Sequence, residues 1–173
     1  MTPNHVTAIR ALIVALLAAL MFTSARIDLA WFAVIAATIV AVLDGVDGWL
    51  ARRTGMVTAF GARFDMEVDA LLILVLAILA WRWDKAGPWV LMSGLLRYVF
   101  VAAGRVWPWL RAPLTPTRRA RVICVVQIVA LIVAVAPIIP PPSSTFSSAV
   151  GLLALAYSFL VDTARLRRQA NSA

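Results

Sequence analysis

Charge is what this sequence has least of. Only 14% of its 173 residues are charged, against 63% hydrophobic, whereas soluble domains carry about 25% charged residues. That excludes a disordered chain and leaves too little polar surface for a water-soluble domain. Histidine occurs once, as His5, and cysteine once, as Cys124. A single cysteine excludes an intrachain disulfide and any Cys-rich metal centre. Cys124 reads as a small buried apolar residue, and His5 as a polar residue at the membrane boundary. Lysine is nearly missing: Lys85 stands alone among 16 basic residues, the rest being arginine. With eight acids, the net charge is +8. On a soluble protein that excess would suggest nucleic acid. Here it fits topology at an anionic membrane face, with no nucleic-acid partner expected.

Six apolar runs of 17 to 23 residues can be read at Val6–Phe22, Leu29–Ala51, Ala62–Trp81, Pro88–Trp107, Val122–Ile139 and Phe146–Leu166. At about 1.5 Å per residue each is long enough for a hydrocarbon core of about 30 Å. The runs are continuous rather than alternating, and backbone groups in lipid must pair internally, so helices are expected rather than a barrel. The expected fold is an all-α integral membrane protein, with six transmembrane helices in one bundle and one domain over residues 1–173. Before Ala25 the only basic residue is Arg10, so no cleaved secretory signal is expected.

Arginine then orients the bundle. If both termini share a side, that side holds Arg10, Arg52, Arg53, Arg63, Arg105, Arg111, Arg118, Arg119, Arg121, Arg165, Arg167 and Arg168. The opposite side holds Arg26, Arg82 and Lys85, and Arg97 falls inside the fourth span. The bias predicts cytoplasmic termini in the cell (inner) membrane. Tryptophans near both predicted ends, such as Trp49 and Trp107 inside and Trp31 and Trp89 outside, match an aromatic belt. The outer connections carry no clear signal. The C-terminal arginines are expected to meet anionic headgroups.

The acids are concentrated. Asp44, Asp47, Asp65, Glu67 and Asp69 are five of the eight. Asp44 and Asp47 share a helix face at i,i+3, as do Asp65 and Asp69 at i,i+4. The short basic connection between the two spans makes them antiparallel, so the pairs can face each other near the inner surface. Carboxylates about 5 Å apart repel by about 3 kcal/mol per pair at an effective dielectric near 20. Cations are therefore expected among them. Oxygen ligands without His or Cys point to Mg²⁺ or Mn²⁺, and this many carboxylates suits two ions. Ion pairing with Arg52, Arg53 and Arg63 at a solvated edge is the plainer reading. A membrane transporter or channel using an intramembrane carboxylate cluster is the other functional one. Gly45 and Gly48 beside the acids favour instead the close approach of a ligand or a helix.

The full pattern is Asp44-x2-Asp47-Gly48-x2-Ala51-Arg52-x8-Gly61-x3-Asp65-x3-Asp69. It resembles the signature of the CDP-alcohol phosphotransferase (CDP-alcohol phosphatidyltransferase) family at every fixed position. Pro3, Asn4, Thr7 and Arg10 also resemble the start common among its members. The resemblance implies a single catalytic domain that moves the phosphatidyl group of CDP-diacylglycerol to the hydroxyl of an alcohol, with release of CMP. It implies that Asp44, Asp47, Asp65 and Asp69 hold metal, and that Asp69 takes the acceptor proton. Gly48 and Ala51 would leave room for the nucleotide, and Arg52 would hold a donor phosphate. Membrane lipids and a second copy of the chain, as a homodimer, are the further partners implied, with the active site on the cytoplasmic side.

The acceptor is read from three arginines. Arg97 and Arg105, eight apart, resemble the pair found in members that use phosphorylated alcohols, and Arg121 stands where such members carry lysine. Together they would line an anionic acceptor pocket, although Arg105 and Arg121 can also reach the inner surface as snorkelling side chains. Glycerol 3-phosphate is the first choice of acceptor, and a lipid alcohol is the other candidate. Glu67, on a different face from Asp65, has no assigned role.

Overall fold

A computed structural model describes residues 3–54, 59–111 and 117–171; the side chains of 3–5, 47, 49–54, 59, 60, 62, 108, 111 and 171 lie outside the described set. Every element among the described residues is helical. They are α1 (Pro3–Ala19), α2 (Ile27–Thr54), α3 (Ala59–Arg82), α4 (Met92–Val106), α5 (Arg118–Val135) and α6 (Ser143–Asn171). Short 3₁₀ turns at Leu20–Phe22 and Pro88–Leu91 extend the apolar lengths of α1 and α4.

Among the described residues, three segments are long and apolar enough to cross a membrane: Ile27–Val46, Pro88–Val106 and Ser143–Ala170. Val6–Phe22 is apolar but shorter. The other two helices open with charge, α3 with Arg63, Asp65, Glu67 and Asp69, and α5 with Arg118, Arg119 and Arg121. The fifth expected span is also shifted. The helix begins at Arg118, where the Thr117 side chain accepts the Ala120 amide at 3.2 Å as an N-cap, and it ends at Val135. Pro137 and Pro140 follow, and the missing N–H of proline stops the helix where hydropathy alone would carry it on.

The core is centred on α3, whose Val68, Leu72, Leu76 and Leu79 are buried and which packs against α1, α4 and α5. On α2, Ala30, Ala33, Ala37 and Val40 form a buried stripe of small residues, so that α1 and α5 can approach closely. Its opposite face presents Phe32, Ile35, Ile39 and Val42 outward, as a lipid-facing surface requires. Gly94 sets how α4 crosses α3, because a Cβ there would lie 2.6 Å from the Leu74 Cα. Among the described residues, the broad contacts of α2 are with α1 and α5 rather than with α3. The two acid-bearing helices are thus bridged by α1 and α5, each of which packs against both.

The connections expected on the outer side are joined. The Lys85 Nζ donates to the carbonyls of Ala136 at 3.1 Å and Ile139 at 2.8 Å. Its own carbonyl accepts the hydroxyls of Ser144 at 2.7 Å and Thr145 at 3.1 Å. A helix C-terminus leaves carbonyls without partners and favours a cation, and the lone lysine meets both needs at the end of α5. Lys85→Met should therefore lower stability by about 1–3 kcal/mol, seen as a lower melting temperature of the purified protein in detergent. A melting temperature equal to wild type would show that the tie contributes nothing.

Candidate active site

Asp44 lies on α2, and Asp65 and Asp69 lie one turn apart on α3. One carboxylate oxygen from each lies within 4.8 Å of the others. The expected i,i+4 face of α3 thus does meet α2. Between the carboxylates stands the Arg10 side chain of α1, fully buried. Its Nη1 contacts Asp44 at 2.9 Å and also Asp65, while Nη2 contacts Asp69. Arg10 supplies one positive charge to three carboxylates, so this set retains a formal charge of −2 before any ion is added.

The donor set fits a hard divalent cation. The three aspartates offer oxygen, and the single cysteine does not belong to the group. Oxygens bound to one Mg²⁺ at about 2.1 Å lie up to about 4.2 Å apart, so modest rotamer adjustment would bring this group onto one ion. Gly48 is half-buried, one turn beyond Asp44. Gly45 faces open space, with no atom within 4 Å of an added Cβ. The side chains of Asp47, Ala51 and Arg52, all assigned roles above, lie outside the described residues.

Asp69 also faces a second feature, a cavity of about 170 Å³ between α3, α4, α5 and α6. Its wall includes Ser93, Arg97, Cys124, Ser158 and Asp162. Of the three arginines expected there, only Arg97 is on the wall. Arg105 and Arg121 are exposed and do not line the cavity. Helix geometry explains the separation. Eight residues rise about 12 Å along an axis, which carries Arg105 away from Arg97. On α5 it is Ala120 and Cys124 that face inward, and Arg121 is turned about 100° from Ala120.

Glu67 now has a partner: its carboxylate accepts from Arg97 Nη2, across α3 and α4. Arg119 on α5 pairs with Asp162 on α6 at 2.5 Å, with only 26% and 16% of the side chains exposed. Neither Arg119, Asp162, Ser93 nor Ser158 was singled out from the sequence. Asp162 had one legible signal, as the lone acid inside the last apolar run. The Ser93 hydroxyl is buried with no hydrogen-bond partner, which makes it a free donor at the cavity.

Segments long and apolar enough to cross a membrane, a three-aspartate group suited to a divalent cation and a small cavity that shares one of those aspartates define a helical membrane protein with a candidate metal site. More narrowly, the chain belongs to the CDP-alcohol phosphatidyltransferase family, whose sequence pattern matches residues 1–161. It is also similar to the CDP-diacylglycerol–glycerol-3-phosphate 3-phosphatidyltransferase of Cereibacter sphaeroides, at 29% identity over 106 residues. That match covers 60% of this chain and 48% of the relative, so the chain spans about half the length of the curated protein it matches.

The Arg119–Asp162 pair lends itself to a separate check. Asp162→Ala strands a largely buried guanidinium, and a loss of about 3 kcal/mol in stability is expected. Thermal unfolding in detergent reads it, and a loss below about 0.5 kcal/mol would show that the pair is solvated rather than structural.

Proposed function

We propose that this protein transfers the phosphatidyl group of CDP-diacylglycerol to the hydroxyl of a small alcohol and releases CMP. The observation that carries this reading is that Asp69 borders both the carboxylate group and the cavity. One side chain then belongs to the place where a diphosphate would be neutralised and to the place where an alcohol would wait. The acceptor oxygen bonds to the phosphorus that bears the diacylglycerol, the bond from that phosphorus to the CMP oxygen breaks, and Asp69 accepts the hydroxyl proton. Asp44, Asp47 and Asp65 hold Mg²⁺ or Mn²⁺ with Asp69, two ions being the expected load. The bound metal supplies charge neutralisation for the diphosphate and the departing CMP. Gly48 and Ala51 leave room for the nucleotide, and Arg52 holds a donor phosphate.

Arg97, held by Glu67 at the cavity wall, receives an anionic group on the acceptor. The cavity is smaller than the range of about 300–1,000 Å³ typical of drug-sized ligands, which favours a compact polar alcohol over a lipid one. Glycerol 3-phosphate fits that size and charge, and the Cereibacter relative carries it in its name. Arg105 and Arg121, exposed and off the wall, are better suited to headgroups at the membrane surface. The membrane setting of the reading is a single six-span domain over residues 1–173, with both termini and the site on the cytoplasmic side of the inner membrane. The arginine distribution supports that orientation, and the homodimer rests on the family resemblance.

The decisive experiment combines purified protein, CDP-diacylglycerol, Mn²⁺ and a panel of alcohols that includes glycerol 3-phosphate. CMP release and a phosphatidylated product identified by mass are expected, and absence of CMP with every alcohol refutes the reading. Asp69→Asn should lower kcat by about 10²-fold or more, with the fold retained. For the acceptor, Arg97→Ala should raise KM about tenfold or more while the KM for CDP-diacylglycerol stays near wild type. An unchanged acceptor KM removes Arg97 from the pocket. Cys124, the only cysteine and a wall residue, gives a binding readout. Saturating acceptor should slow its reaction with a small thiol reagent.

A further inference from the structure

Among the described residues, Arg10 is the most deeply buried charge. It is 0% exposed, and the partners of its two terminal nitrogens are the three aspartates that could hold metal. Its Nε is buried and has no partner among the described residues. A guanidinium with five N–H donors in a rigid fork suits several carboxylates at once, where an ammonium would behave as a point charge. The same oxygens are those a divalent ion needs. A hard cation binds carboxylate oxygen at about 2.1 Å, and two cations drawn to one lone-pair region repel each other. We propose that Arg10 is the built-in counter-cation of the metal site: it keeps Asp44, Asp65 and Asp69 converged, and it withdraws from at least one of them when an ion enters.

This inference rests on the metal-dependent reading above and extends it. The three helices are drawn to one point by a cation that the chain itself provides, so the ligands converge before metal arrives. The ion affinity of the site is then a competition and not a property of the aspartates alone. Thr7, one turn before Arg10 and also buried, lies near the same face of α1.

The test measures Mn²⁺ binding to the full-length protein without substrates, by the electron paramagnetic resonance of free Mn²⁺. Arg10→Gln removes the competing charge but keeps a hydrogen-bonding side chain. It should bind Mn²⁺ about tenfold or more tightly than wild type, while melting at a lower temperature in metal-free buffer. Unchanged or weaker Mn²⁺ binding overturns the proposal, because a purely structural clamp would lose affinity when its ligands spread. Should Arg10→Gln fail to fold, Arg10→Lys retains the charge and introduces an amine at this position. Lysine acylation, located by mass spectrometry, should be several-fold faster at position 10 in saturating Mn²⁺ than without it. Lys85, remote from the site, serves as the internal control. Equal labelling with and without Mn²⁺ overturns the proposal. A wild type that binds Mn²⁺ in this competitive manner but releases no CMP would leave the Arg10 inference standing and remove the transferase reading. A wild type that binds no Mn²⁺ removes the inference.

Discussion

The architecture turns on the contact between one buried guanidinium and three carboxylates drawn from two other helices. Asp44 on α2 and Asp65 and Asp69 on α3 would drive those helices apart in a low-dielectric setting, since like charges at this spacing repel by several kcal/mol. Arg10 offsets part of that repulsion from α1, which packs against both α2 and α3. The small buried residues of α2 and the apolar ridge of α3 let the three helices approach closely enough for the contact to form. Remaining negative charge at the junction then makes it a place where a divalent cation is favoured.

Asp69 links this junction to the rest of the protein. One turn of α3 separates it from Asp65, while its neighbours Ala70 and Ile73 line the cavity shared with α4, α5 and α6. The cavity depends on close crossings, above all at Gly94 beside Leu74. Two ion pairs edge it, Arg97 with Glu67 and Arg119 with Asp162. Each joins neighbouring helices across the space and fixes a cation near it. At the opposite end, Lys85 ties the connection after α3 to the turn between α5 and α6. The helices around the cavity are thus linked at both ends, with the working face left to the charged side chains.

Much of this was legible in one dimension. Continuous apolar runs specified helices in a membrane, because the backbone in lipid must pair internally and the strands of a barrel would alternate. The three- and four-residue spacing of the acids specified shared faces, since the angle between residues of one helix follows from its geometry. The chemistry of oxygen donors indicated a hard cation, and the full motif identified the family that the profile match over residues 1–161 supports. Helix ends were less legible. The N-cap at Thr117 and the prolines after Val135 shifted α5 from the span that hydropathy outlined.

The sequence by itself determined the helical class, the membrane setting and which aspartates share a face, all properties that a single helix carries without its neighbours. Only the tertiary structure decided that Arg10 stands among those aspartates, that Arg97 reaches the cavity while Arg105 and Arg121 do not, and that Glu67 has a partner. The reason is physical. Rotation and depth of one helix against another are set by packing of remote side chains, such as Gly94 against Leu74, and no spacing within a single run encodes them.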